Sequence, residues 1–198
     1  MKNDNSRNTI LQCALTLFSE KGFDGVSIND IVEMADITKP TLYYFFGSKE
    51  GLFKEILFIH YDVLNGLLQN VCYYEPHLSD YHADVEPVLR RIVRTYFDFA
   101  QKHAQFYLMA LSLTFAPPTS RPAELAENYH RVQYELVEAM FLQISRSHFN
   151  LRGREQLCTW QFLAGINAHI GFWNRGFGSL DDSNVNALVK QFMHGIFS

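Results

Sequence analysis

Residues 26–57 read VSINDIVEMADITKPTLYYFFGSKEGLFKEIL, and three closely spaced helix starts within that stretch decide the fold. Ser27 with Asp30 three positions on makes a capping-box pattern, and Ile28, Ile31, Val32 and Ala35 then supply one apolar stripe. Thr38 is the next capping residue, with Pro40 in the first turn, where a missing N–H forfeits no intrahelical bond. Only Ala35, Asp36 and Ile37 separate the two short helices, too few for antiparallel packing but suited to a steep crossing. The second of them ends near Phe46 and Gly47. Ser48 then caps a long helix of about 25 residues by its periodicity, carrying Leu52, Phe53, Ile56, Leu57, His60, Leu64, Leu67, Leu68 and Val71. The pattern is a helix-turn-helix feeding a long helix.

Upstream, Ile10, Leu11, Ala14, Leu15 and Phe18 recur at helical spacing as far as Gly22, which predicts a first helix over 5–21. Lys2 and Arg7 ahead of this apolar run mimic a secretory leader, but Gln12 interrupts it and no small-x-small cleavage site follows. Downstream, 73–85 is polar and holds Pro76. A helix follows from near Pro87, with Arg90, Arg91 and Arg94 facing one way and Val88, Ile92, Tyr96 and Phe99 another. An apolar segment over 106–115 stops at Pro117 and Pro118, and Pro122 suits the first turn of a long helix reaching about Phe149. After a break at 150–154, residues 156–174 carry no charge, yet Gln161, Asn167 and His169 are expensive in hydrocarbon and cheap in a protein interior. The last helix, 182–197, has an apolar stripe of Val185, Leu188, Val189, Phe192, Met193, Ile196 and Phe197. No strand-period pattern, repeat or low-complexity tract occurs. The fold class expected is all-α, a three-helix head (1–47) with a helix-turn-helix on a larger helical body (48–198) that binds an effector and dimerises.

Composition narrows the function. With 47% apolar and 19% charged residues in a chain of 198, the protein is globular and rich in buried surface. A net charge of −4 announces no polyanion partner, so any nucleic-acid binding is local. Residues 1–60 hold six Lys or Arg against eight Asp or Glu, a net of −2, which is unhelpful for a polyanion; Lys39 and Lys49 on one compact helix face still leave room for a positive patch. Cys13, Cys72 and Cys158, far apart and odd in number, read as reduced thiols of a cytoplasmic protein. No Gly-rich phosphate loop, G-x-S-x-G, C-x-x-C or H-E-x-x-H occurs, so no enzyme, catalytic residue, metal site or cofactor is expected.

The stretch 26–57, with Lys21-Gly22-Phe23 before it, Asp30-Ile31, Lys39-Pro40-Thr41-Leu42-Tyr43 and Ser48-Lys49-Glu50, resembles the DNA-binding signature of the tetracycline-repressor (TetR) family of bacterial regulators. Chain length and the all-helical remainder also look like that family. The resemblance implies a ligand-responsive regulator that represses from a palindromic operator as a homodimer; the aromatic and polar residues of the body suit a small lipophilic or aromatic effector as the ligand that releases it. It further implies that Ser27, Thr38, Tyr43 and Lys49 grip phosphates while Lys39, Thr41 and Tyr44 reach bases, Pro40 lying among them. Independently of family, Thr38-Lys39-Pro40-Thr41 presents hydroxyls, a cation and free N–H groups at a helix start. The competing reading of Tyr43 and Tyr44 is core packing, and of Lys49 a solvated charge. Two residues depart from the family pattern. Asp36 stands where a turn glycine is usual, at a penalty of about 1 kcal/mol, and Phe45 replaces a frequent histidine, removing one polar contact to DNA.

In the body, Tyr61, Tyr96, Phe99, Met109, Tyr134, Phe141, Trp160, Asn167 and His169 are candidate effector contacts, because large flat side chains pack imperfectly and leave cavities. For each the alternative is ordinary core. The candidate dimer interface is Ile166, Ile170, Trp173, Leu188, Val189, Phe192 and Ile196, from two helices apolar on more sides than one chain covers. The rival reading of the chain is a helical small-molecule-binding or scaffold protein whose DNA-binding head has decayed.

Overall fold

The computed structural model describes residues 2–76 and 81–195. Among them the chain forms nine α-helices and no strand: α1 Lys2–Lys21, α2 Ile28–Met34, α3 Lys39–Phe46, α4 Lys49–Val71, α5 Tyr81–Lys102, α6 Ala104–Thr114, α7 Arg121–Ser147, α8 Glu155–Asn174 and α9 Asp182–His194. A 3-10 turn, Phe149–Leu151, precedes α8. The expected all-α class holds. The largest shift of boundary is at α5, which starts at Tyr81 and carries Pro87 inside it. So near a helix start, proline removes just one early rung of the ladder, and the tertiary packing of the following turns outweighs that loss. At the other end Gly195, with φ +70°, closes α9; Ile196 and Phe197 lie outside the described residues.

The chain divides into two compact units. The first takes the chain up to Asp62 together with Gln105–Glu127, and the second takes Val63–Ala104 and the chain from Asn128 on. In the first, Ile10, Ala14 and Phe18 of α1, Ile31 of α2, Leu42 of α3 and Leu52, Phe53 and Ile56 of α4 are buried. Phe18 meets Phe53 edge-on at 5.3 Å between ring centroids, and Phe23 lies 4.9 Å from the same ring. Apolar closure of this kind is what lets α2 and α3 persist, since isolated helices of seven or eight residues are not stable in water. In the second unit, α5 lies against α8 and α9, and its Leu89, Ile92, Val93 and Phe97 are buried, as are Phe162, Ile166 and Ile170 of α8 and Val185 and Val189 of α9. Arg94 fixes the start of α9, donating to Leu180 O at 2.7 Å and to Asp182 Oδ1 at 3.0 Å. No described helix is long and apolar enough to cross a membrane.

Candidate nucleic-acid interface

The turn between α2 and α3 sets the angle of the helix-turn-helix, and Asp36 does it with φ +50°, the sole positive φ at a non-glycine residue among those described. A short polar side chain tolerates this left-handed state where a β-branched one would not. Ahead of the turn, the capping box is complete: Ser27 Oγ accepts from Asp30 N at 3.2 Å, and Ser27 N donates to Asp30 Oδ2 at 2.7 Å. Those bonds hold the Asp30 carboxyl below its ordinary range.

The Ser27 hydroxyl also donates to Asp30 Oδ2 at 2.6 Å, so its proton caps α2 and is not on offer to a phosphate. Lys49 departs further from expectation. Its Nζ donates to Phe23 O and Val26 O, both at 2.9 Å, and sits 4.2 Å from the centroid of the Phe23 ring. The first residue of α4 thereby ties down the loop that enters α2. Both residues act within the head as braces, because a cation or hydroxyl beside uncapped backbone groups finds those partners before any external one. Thr38 stands at the N-cap of α3, but its Oγ1 lies 3.0 Å from Thr41 Oγ1 and makes no cap bond to the backbone.

What the head leaves in solvent is the expected face of α3. Lys39 and Pro40 are exposed, Tyr43 is 47% and Tyr44 76% exposed, and Thr41 is half-buried. The core reading of the two tyrosines therefore fails, while Leu42 alone of α3 is fully buried. Phe45 is half-buried, 5.2 Å from the Tyr44 ring, and serves as a prop for it. Lys39 has no ion-pair partner among the described residues. One cation, two hydroxyls and two phenols on one short exposed helix make a face of donors for phosphate oxygens and base edges.

Two features of this unit have only weak signals in the sequence. A Cβ at Gly51 would stand 2.0 Å from Phe46 O, so α4 approaches the last carbonyl of α3 as closely as backbone allows. A glycine within the first turn of a helix is the hint the sequence offers. The second is Arg121 at the start of α7, whose Nε and Nη2 donate to Glu50 Oε1 and Oε2 at 3.0 and 2.9 Å, with Glu124 taking Nη1 at 3.1 Å. That guanidinium holds the Glu50 carboxyl below its usual range. Seventy-one positions separate the pair, and no local pattern reveals it.

The candidate effector residues divide between the two units. Tyr61 and Met109 belong to the first unit, where Tyr61 meets Phe106 edge-on at 5.0 Å. Tyr96, Phe99 and Phe141 are buried in the second, Tyr96 donating to Gln133 Oε1 at 3.1 Å. Asn167 and His169 are half-buried, with His169 Nδ1 2.8 Å from Gly165 O, the satisfied histidine of a helix. Tyr134 and Trp160 are 38% and 50% exposed and face outward, which corrects their reading as pocket residues: helical period carries them past the core face. Two hollows are described. A groove of about 380 Å³ between α8 and α9 includes His169, Gln161, Ala187 and Phe192; a cavity of about 210 Å³ includes Phe141, His148, Arg154 and Cys158.

The dimer residues are likewise redistributed. Ile166, Ile170, Leu188 and Val189 are buried by their own chain, Leu188 along the floor of the groove between α8 and α9; Trp173 and Phe192 are half-buried, and Ile196 is outside the described residues. The stripe of α9 already faces α5 and α8. Left outside is a different face of α8, with Leu157, Trp160 and Phe172 at 47, 50 and 57% exposure and the exposed Ala164 and Ala168 between them. Among the described residues, no group of three His, Cys, Asp or Glu is placed to hold a metal ion.

Comparison with known proteins gives the same picture. A sequence profile of bacterial regulatory proteins of the tetR family matches residues 10–56. A Staphylococcus aureus protein, the biofilm operon icaADBC HTH-type negative transcriptional regulator IcaR, is 26% identical over 140 residues, 71% of this chain and 68% of that one. The Pseudomonas putida HTH-type transcriptional repressor NicS is 35% identical over 103 residues, 52% of this chain and 45% of its own. The structure of Bacillus subtilis FadR in complex with stearoyl-CoA shares the fold with a TM-score of 0.76, over 96% of this chain and 98% of that one at 12% identity.

Proposed function

We propose that the chain, whose residues 10–56 match the profile of bacterial regulatory proteins of the tetR family, is a ligand-responsive, DNA-binding transcriptional regulator of that family, a cytoplasmic repressor that leaves a palindromic operator when a lipophilic or aromatic effector binds. The observation that carries the reading is the exposed face of α3, Lys39, Pro40, Thr41, Tyr43 and Tyr44, on a head closed by apolar packing. Residues 1–47 dock in the major groove with α3 as the reading helix, and 48–198 hold the effector and the dimer contact. Thr38, Tyr43 and the backbone N–H of Lys39 meet phosphates; Lys39, Thr41 and Tyr44 meet base edges. Repression and an acyl-bearing effector are the readings favoured by IcaR, a negative regulator, and by FadR, a stearoyl-CoA complex.

The operator is palindromic because the binding unit is a symmetric pair of chains. Its contact is the outward face of α8, Leu157, Trp160, Ala164, Ala168 and Phe172, joined by Phe192 along the groove shared with α9, so that four helices pack about a two-fold axis. Three large apolar side chains about half exposed on one helix are otherwise unfavourable in water.

The switch is a coupling between effector and operator, typically about 1–3 kcal/mol and equal in both directions. The experiment is a titration of operator-bound protein with aromatic and fatty acyl compounds selected by thermal shift. Compounds that stabilise the protein are expected to weaken operator binding, and operator to weaken theirs by the same factor. Stabilising compounds that leave operator affinity untouched would remove the switch, and the scaffold reading would then stand.

A further inference from the structure

We infer that the cavity where α5, α7, α8 and α9 meet is a binding site for a small monocarboxylic acid with a compact apolar body, held through Arg154. The inference rests on the reading of the body as effector-binding and names a ligand class for one hollow in it. The apolar wall is Val85 and Leu89 of α5, Phe141 of α7 and Phe192 and Met193 of α9. The lining also carries polar side chains, Arg154, Gln161, Asn150 and His148. The volume is about 210 Å³. An apolar cavity of about 150 Å³ accepts one benzene ring, whereas drug-sized ligands need roughly 300 Å³ or more. One ring or a short branched chain with a small polar group fits; a nucleotide-bearing thioester does not.

Arg154 gives that polar group its charge. It is exposed at the N-cap of α8 and has no ion-pair partner among the described residues, whereas Arg90, Arg94, Arg121 and Arg131 each lie on a carboxylate. The nearest acid in sequence does not neutralise it. The Glu155 carboxyl is held below the ordinary range by neighbouring backbone N–H groups, its own first, and by Ser145. Arg154 itself makes no side-chain cap bond, so its guanidinium is the donor left for an anion. The buried Asp84 is engaged as well: its Oδ2 accepts from the Tyr74 hydroxyl at 2.6 Å and lies 3.0 Å from His148 Nε2. That pairing fixes the His148 ring as a wall and keeps the Asp84 charge from competing with a bound carboxylate. A free guanidinium facing an apolar wall recognises a carboxylate by paired N–H···O bonds and the rest of the molecule by burial.

The test uses the full-length protein and two probes of the same shape, benzoate and uncharged benzamide, followed by calorimetry. Benzoate is expected to bind at least about tenfold more tightly than benzamide, Arg154→Gln to abolish that preference, and Leu89→Trp to abolish binding of both. Cys158 also lines the cavity, so benzoate is expected to slow its modification by methyl methanethiosulfonate in the wild-type chain, a readout that does not depend on Leu89→Trp folding. Absent benzoate binding, equal affinity for the two probes, a preference that survives Arg154→Gln, or unprotected Cys158 would each overturn the inference. Operator binding by Arg154→Gln is measured alongside. Operator binding retained while benzoate binding is absent sinks the cavity and spares the regulator; benzoate binding retained with no operator preference does the reverse.

Discussion

Asp36, Lys49 and Lys39 show how differently three polar residues of one head are used. Asp36 takes a left-handed turn with φ +50°, as its position between two short helices requires. The resemblance to the tetracycline-repressor family implies a phosphate contact for Lys49, yet its ammonium lies on the carbonyls of Phe23 and Val26. The loop that brings those oxygens to it is 23 to 26 positions away, beyond any local pattern. Lys39 and Thr41 remain for DNA. Lys39→Ala is expected to weaken operator more than random duplex, and Thr41→Ala to erode discrimination by about 1–3 kcal/mol. Fluorescence anisotropy against both duplexes over a salt series separates these, and a Thr41→Ala protein with full discrimination would remove that residue from base reading.

His130 carries a pH signature of the body. Burial pushes its pKa down to about 4, from an ordinary value near 6.5. The folded chain therefore holds it neutral while the unfolded chain takes up a proton below about pH 6.5. Its contribution to stability is intact above that pH and falls as pH drops toward 4, by about 2 kcal/mol at pH 5. Urea unfolding at pH 7.5 and 5 is expected to show a smaller loss for His130→Leu than for the wild type.

Among the elements, α2, α3 and α4 are legible because capping boxes, a three-residue turn and short apolar stripes are local signals. The faces of α8 and α9 are not. Their apolar residues exceed one stripe, and sequence spacing does not say which stripe meets the same chain and which a second. Packing against α5 resolves it: Ile166, Ile170, Leu188 and Val189 go inward, and Leu157, Trp160 and Phe172 stay out. The consequence is a relocated dimer test. Trp160→Glu is expected to give a monomer in sedimentation velocity with little change in the thermal stability of the isolated chain, and to lose tight operator binding, since one half-site makes too few contacts. A dimer that survives Trp160→Glu together with Phe172→Glu would place the interface elsewhere. Arg121 adds a second lesson at this scale. Its bidentate hold on Glu50 fastens the start of α7 to the start of α4, a pairing that helical spacing does not announce.

For the whole molecule, composition gives the class and conceals the function. A net charge of −4 and an acidic balance over the first 60 residues argue against nucleic acid, and the structure shows why that sum misleads. Asp30 is bound into the capping box, Glu55 is paired with Arg7 and Glu50 with Arg121, while Lys39 stands unpaired on the exposed helix. Local arrangement, not the total, sets the field that a phosphate meets. The effector site was the least legible part, because aromatic residues at helical spacing fill core and line cavities alike. The central claim is that two copies of α3 read DNA as a pair, and the most direct measurement is a gel-shift titration on the duplex flanking the protein's own coding region, with random duplex as competitor. Preferential binding by two chains per site, with an affinity that falls steeply as salt rises, is the expected result; equal binding to both duplexes, or none, would contradict it.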